Sequence, residues 1–333
     1  MPLNTTPNLW VGQWTQELAL KSVLSTDSIQ AGLFRVEESI KGDKAIVKLF
    51  DYNAPLAVGS LCSVPPSVNG TLSDLQFAVT RYALIERICK RDLANTSYSD
   101  SMRPSVYNTT ISEEVLRGYV TQLANVKFSQ LETVRWSGDT ASANININSA
   151  DGIVKQLKAA AGTVRPTFVN NAITNPNTVI AELNKTIAAI PMNARLNPNL
   201  KLVVSPAVYV AYEQAMAANQ AYAMYALLGL NGLKNAQGEL ISAYRGKFVG
   251  TQIPMYVVSG LNGFNDQVAI VAIMNNGIDG NFVLATDAAS DFSTIIVEDR
   301  SQIFTADQNI DILWEIQQGV KVAFPDQVVL YAA

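Results

Sequence analysis

The stretch QLETVRWSGDTAS, Gln130 to Ser142, runs apolar, charged and aromatic and then stops at Ser137-Gly138-Asp139. Two readings compete for it. Gly138-Asp139-Thr140 is a turn that presents a catalytic carboxylate, or it is the place where a helix ends. The upstream residues favour the second. Leu116, Val120, Ala124, Phe128, Leu131 and Val134 step by fours and threes and trace one apolar face. Thr110, with Glu113 three places on, has the pattern of a capping box. The spacing predicts a helix over 111–137, a rod of about 40 Å at 1.5 Å per residue. Gly138 is then the helix cap, because glycine best tolerates the left-handed position just past a helix. Asp139 would follow the negative end of the helix, a poor place to activate a carboxylate.

The composition narrows what such a chain can do. Its 333 residues are 48% hydrophobic and only 16% charged, against roughly 25% charged in ordinary soluble domains. No apolar run approaches the roughly 18 residues of a membrane span, and the N-terminus lacks the basic and apolar segments of a signal peptide. The excess apolar character therefore belongs to an unusually large core or to surfaces that meet other chains. A net charge of −4 argues against tight nucleic-acid binding, which needs a basic footprint. Cys62 and Cys89 are two isolated cysteines, which fits a reducing compartment. There is no histidine, which removes histidine triads, histidine general bases and histidine-ligated metals. An enzyme would have to work with carboxylates, lysine or tyrosine.

Along the chain, residues 1 to about 30 mix Asn, Thr and Pro with Leu9, Trp10, Val11, Trp14, Leu18 and Leu20 and keep no period. Two tryptophans in such a segment read as an arm packed on something, its own core or a neighbouring chain. "LFRVEESI" and "KAIVKLFDY" read as strands meeting at the polar turn Lys41-Gly42-Asp43. "LQFAV" alternates Leu75, Phe77 and Val79. Residues 32–82 thus form a two- or three-stranded ribbon, marginal by itself and in need of a surface. The segment 150–300 is α+β: Asn175-Pro176 opens a helix stopped by Pro191, "LKLVV" is a buried strand, and Ser205-Pro206 opens a helix ending near Gly229. Strands follow at "IPMYVV", "QVAIVAIM", "NFVLAT" and "STIIVED". "NIDILWEI" and "GVKVAFPDQVVLY" read as a hairpin broken at Gln317-Gln318-Gly319.

Chemistry-bearing motifs are sparse. Dinucleotide, Walker and nucleophile-elbow patterns are missing. Asp287 and Asp291, with Glu298-Asp299 nearby, have the spacing to hold Mg²⁺ or Ca²⁺, but such acids more often cap turns and face water. "GLNG" at 229–232 and "GLNGF" at 260–264 lack the strand–loop–helix frame of a phosphate cradle and read as turns. No catalytic, cofactor-binding or metal site is expected.

An arm, a ribbon, one long helix ending in Trp-Ser-Gly-Asp, an α+β lobe and closing strands form an order. It resembles the major capsid protein of tailed bacteriophages, the Hong Kong 97-like capsid fold. Local resemblances are "QLETVRWSGDTAS" to that family's spine helix and following turn, and "KLVVSPAVYVAYEQA" to a strand-to-helix step of its lobe. "FVGTQIPMYVV" and "NFVLATDAASDFSTIIVEDRS" resemble lobe strands, and "GVKVAFPDQVVLY" the final peripheral strands. The resemblance implies an N-terminal arm at 1–31, an extended β loop at 32–82, a peripheral domain at 83–149 and 303–333, and an axial domain at 150–302. It implies a non-enzymatic subunit without cofactors. That subunit would self-assemble into hexamers and pentamers of an icosahedral shell around double-stranded DNA, which it would touch only weakly and non-specifically. Partners would include portal, scaffolding and decoration proteins, with no membrane; the place would be the virion capsid, assembled in the host cytoplasm. Residues expected at inter-subunit contacts are Trp10, Trp14, Phe34, Lys41, Gly42, Asp43, Phe50 and Tyr52. Some members begin with a long cleaved scaffolding segment, and nothing before Leu9 matches one. The nearest rival is an encapsulin-like bacterial nanocompartment shell; the rival of a different class is an oligomeric carboxylate-dependent enzyme.

Overall fold

The computed structural model describes residues 27–40, 45–51, 71–77, 79–89, 113–218, 243–263, 267–275, 277, 279–287, 295–300 and 309–333. In chain order these hold α1 (Asp27–Gln30), β1 (Arg35–Glu37), β2 (Ala45–Asp51), β3 (Thr71–Phe77), β4 (Thr80–Cys89) and the long helix α2 (Glu113–Ser137). Then come α3 (Ile153–Ala159), α4 (Val179–Ala188), α5 (Met192–Arg195), β5 (Leu200–Val204), α6 (Pro206–Ala218), β6 (Tyr244–Lys247) and β7 (Pro254–Val257). The chain closes with β8 (Ala269–Ile273), β9 (Phe282–Thr286), β10 (Ile295–Asp299), β11 (Asn309–Val322) and β12 (Val329–Tyr331).

The first sheet is built around β11. Its opening half lies between β4 on one side and β10 on the other, and its closing half pairs with β9, which carries β1 in parallel. Ile310, Ile312, Trp314 and Ile316 alternate onto the inner face, where they meet Val120, Phe128 and Leu131 of α2. Phe128 stands edge-on to Trp314, with ring centroids 5.0 Å apart. The apolar period read from the sequence is therefore the face that seats the long helix on this sheet.

Two strand expectations are corrected. β11 is one strand of 14 residues, not a hairpin. Gln318 stays in the ladder, opposite Thr80 on one side and Thr286 on the other. Its side chain is buried because the Arg135 Nε donates to its Oε1 at 2.9 Å. A polar pair that resembles a turn is held in a strand by a partner 183 residues away. Residues 32–40 likewise do not pair with 44–52: β1 joins β9, and β2 pairs antiparallel with β3, from Ala45↔Phe77 to Asp51↔Thr71.

The second sheet has the order β12-β8-β5-β7-β6, with β5 and β7 parallel. Leu200, Leu202 and Val204 point to one face, against Val179 and Leu183 of α4 and Val208, Ala211 and Ala215 of α6. Val203, Ile270 and Ala272 point to the other, against α3, Trp136 and Phe282. β8 is buried along its whole length because it is covered on both faces. The last strand, β12, pairs with β8 and so belongs to this second sheet. The Pro206 start of α6 matches its sequence signal, and the residues around Gly229 lie outside the described ones.

Candidate functional site

The C-terminal end of α2 is where the two sheets, the N-terminal segment and α3 meet. Along its last turns Glu132, Arg135, Trp136 and Ser137 are all buried. Arg135 and Glu132 form an ion pair at 3.2 Å with side chains 0% and 3% exposed. Burial pulls the Arg135 guanidinium down, and Glu132 beside it opposes that pull. The Glu132 carboxylate also accepts from Ser28 Oγ and from Trp136 Nε1, the latter at 3.1 Å. Trp136 Nε1 reaches Ser28 Oγ at 2.7 Å, and Ser137 Oγ donates to the Gly260 carbonyl at 2.5 Å. The helix end is thus tied to residue 28, to β11 through Gln318, and to the 3₁₀ turn Ser259–Gly263.

Three glycines permit this approach. A Cβ on Gly138 would stand 2.2 Å from the Ala150 carbonyl and 2.5 Å from that of Val134. On Gly152 it would stand 2.5 Å from the Gly138 nitrogen, and on Gly260 2.5 Å from the Glu132 carbonyl. All of these are backbone atoms, so no rotamer change relieves the overlap. α2 does end at Ser137, and the Gly138 N–H closes on Val134 O at 3.0 Å. Gly138, however, is not left-handed: the positive-φ glycines among the described residues are Gly32, Gly246 and Gly250. Its glycine is required by close backbone packing, which corrects the expected reason for the cap.

Asp139 answers the question raised by the opening stretch. Its carboxylate binds the Lys155 ammonium at 2.6 Å and accepts from the Ala141 N–H at 2.9 Å. Those two bonds hold it below the usual carboxylate range. Burial raises Asp151, but bonds from Lys155 and Thr140 outweigh it and leave that group lowered as well. Lys155 is raised in turn by the two acids. The triad braces the turn onto α3 and presents no activated base.

No family model and no curated protein matches the chain, whereas solved structures do. The capsid of an empty GTA particle matches at TM-score 0.53 and 13% identity, over 93% of this chain and 90% of that one. A structure of Gordonia phage Cozz matches at TM-score 0.53 and 12% identity, over 92% and 86%. The procapsid of satellite phage P4, which includes its size determination protein, matches at TM-score 0.52 and 10% identity, over 96% and 98%. This is the Hong Kong 97-like capsid fold.

The capsid fold places the sequence-selected residues unevenly. Phe34 is 2% exposed, and its ring lies 5.2 Å from that of Trp136 and 6.2 Å from that of Phe282. It is spent in its own core, because β1 is a strand of the first sheet and not of the ribbon. Its expected role at an inter-subunit contact is corrected accordingly. Phe50 stands on β2 opposite Leu72. Trp10, Trp14, Lys41, Gly42, Asp43 and Tyr52 lie outside the described residues, as does Asp291. Asp287 marks the ribbon's root: its carbonyl accepts from Ser39 N–H at 2.8 Å, while Ile40, Phe77 and Val79 pack on Val283 and Ala285. Among the described residues no three His, Cys, Asp or Glu side chains are grouped to hold a metal. The sequence reading missed Ser28, Glu132, Gln318, Gly152 and Gly260, because each matters only through a partner far away in the chain.

Proposed function

We propose that the protein is a major capsid protein, a non-enzymatic subunit that self-assembles into hexamers and pentamers of an icosahedral shell around the double-stranded DNA of a tailed phage. The observation that carries the reading is agreement in fold with a capsid and a procapsid over 93% and 96% of the chain. The composition supports it. A chain that is 48% hydrophobic and 16% charged has apolar area to spare for several neighbours, and it has no histidine for acid–base work.

In this reading 1–31 is the arm, and the extended loop expected at 32–82 is cut back to the part between Ile40 and Phe77, since β1 pairs with β9 and β4 with β11. Residues 83–149 with 303–333 form the peripheral domain, and 150–302 the axial domain, with β9, β10 and β12 interlocking the two. The β2–β3 pair leaves the body at Ser39–Ile40 and Phe77–Val79, and a two-stranded ribbon buries too little to stand alone. It lies on a neighbouring subunit, with Lys41, Gly42, Asp43, Phe50 and Tyr52 as contacts. Trp10 and Trp14 dock the arm on a neighbour too, each burying about 150–250 Å². Portal, scaffolding and decoration proteins are the further partners. The shell forms in the host cytoplasm and meets its DNA by weak, non-specific contact. Negative-stain microscopy of the purified full chain, alone and co-expressed with its scaffolding protein, tests the reading. Closed shells are expected; compact oligomers under both conditions would overturn it.

A further inference from the structure

Lys201 has an unusual setting. On β5 its neighbours Leu200 and Leu202 face the helices, while Lys201 faces the opposite side with Val203. There its Nζ donates to the Ala31 carbonyl at 2.9 Å and the Gly32 carbonyl at 3.0 Å, and stands 5.2 Å from the centre of the Tyr256 ring. Those carbonyls belong to the turn that follows α1. The Gly32 N–H bonds Ile29 O at 3.0 Å and the Leu33 N–H bonds Ser28 O at 2.9 Å, with Gly32 at φ 59°. Residues 27–34 carry the chain from the N-terminal 26 residues into the body, and Lys201 is the side chain by which the second sheet grips them.

Among the described residues the grip holds a cation against carbonyls and a ring face. From β7 it meets Tyr256, whose neighbour across the ladder is Tyr244 of β6; from β8 it meets Ala272, opposite it in register; from the N-terminal segment it meets the two carbonyls. Among the described residues no carboxylate pairs with it. Burial pushes Tyr256 up to about 12 and raises Tyr244, so neither supplies negative charge below alkaline pH. Carbonyl dipoles and a ring face help an ammonium less than water does, and burial brings Lys201 down to about 8. In an opened segment it would return to about 10.4.

We propose that Lys201 couples the docking of residues 27–34 to proton release, so that the segment lets go more readily at neutral than at alkaline pH. The sign follows from linkage. The docked state binds the proton more weakly than the open state, so raising the pH above about 8 favours docking until the open form loses its proton too. A neutral amine still donates to the carbonyls and no longer bears the cost of a partly buried charge. The root of the N-terminal arm is thereby sensitive to pH, whether or not the chain builds a shell.

Hydrogen exchange of the full chain, read on the amides of 28–34 between pH 6.5 and 9.5 and corrected for intrinsic base catalysis, tests this. Protection is expected to be flat below about pH 7.5 and then to rise by up to about tenfold per pH unit. Lys201→Arg keeps its charge throughout and should show no rise; Lys201→Met has no charge to lose and should also be flat. A flat profile in the unmodified chain would overturn the proposal, whatever the variants do. So would an equal rise in Lys201→Arg, which would assign the effect to another group.

Discussion

Replacing Gly138 by alanine tests the packing at the end of the long helix. The added methyl carbon would lie 2.2 Å from Ala150 O, 2.5 Å from Val134 O and 3.0 Å from Gly152 N. The first two lie far inside contact distance and belong to backbone, so the turn at 138–152 must move. Movement stretches the bonds Gly138 N–H to Val134 O and Gly152 N–H to Gly138 O, now 3.0 and 2.9 Å. Each contributes about 0.5–1.5 kcal/mol, and forced overpacking adds about 1–3 kcal/mol. Against this stands a gain of about 0.4–1 kcal/mol from a stiffer unfolded chain. The net loss is about 1–6 kcal/mol. With an unfolding entropy of about 2.1 cal/mol/K per residue, the melting temperature of the unassembled chain falls by about 1–8 °C. Scanning calorimetry reads it directly. Gly138→Asn separates the two explanations of this glycine, since asparagine tolerates a left-handed backbone but still carries a Cβ. It should be at least as damaging as alanine. The matched control is Gly118→Ala, exposed in the second turn of the same helix, where a Cβ meets nothing within 4 Å. That change should stabilise by up to about 1 kcal/mol. A Gly138→Asn protein as stable as the parent would refute the close-packing argument.

Arg135→Met should destabilise by about 3–5 kcal/mol, because it strips a buried carboxylate of its cation and Gln318 of its donor. Adding Glu132→Gln should restore part of that in urea unfolding, and a single variant within 1 kcal/mol of the parent would show that the pair is dispensable. Asp139 and Asp151 are lowered in the folded state, so their bonds to Lys155 stabilise above the unfolded carboxylate range and are lost as the pH falls through the folded values. The difference in urea midpoint between the parent and Lys155→Ala should therefore be present at pH 6 and vanish towards pH 2; an unchanged difference at pH 2 would contradict the assignment. Replacing residues 52–70 by Asn-Gly closes the ribbon at the Asp51↔Thr71 pair with a two-residue turn. Calorimetry should find the body intact while microscopy finds assembly lost, and normal shells would remove the ribbon from the inter-subunit contact.

What the sequence disclosed was whatever is local and periodic. The α2 face of Val120, Phe128, Leu131 and Val134 was readable because a helix repeats its buried side every few residues, and β5 because Leu200, Leu202, Val203 and Val204 make a short apolar run interrupted only by Lys201. What it concealed depends on contacts across the chain. Gln317-Gln318-Gly319 has every mark of a turn until Arg135 is brought beside it. Phe34 has the look of a ribbon aromatic until β1 is found next to β9, with Trp136 and Phe282 at its ring. Gly138 was correctly placed at the helix end, but the backbone it must let pass, at Ala150 and Gly152, follows an irregular turn whose path no local pattern dictates.

Cryo-electron microscopy of the particles formed by the 333-residue chain decides whether it is a shell-forming capsid subunit. A closed icosahedral shell of hexamers and pentamers is expected, with the β2–β3 ribbon of each subunit lying on a neighbour and both sheets packed around the α2 end. A reconstruction showing a compact closed oligomer, or a shell in which each ribbon folds back on its own subunit, would contradict it.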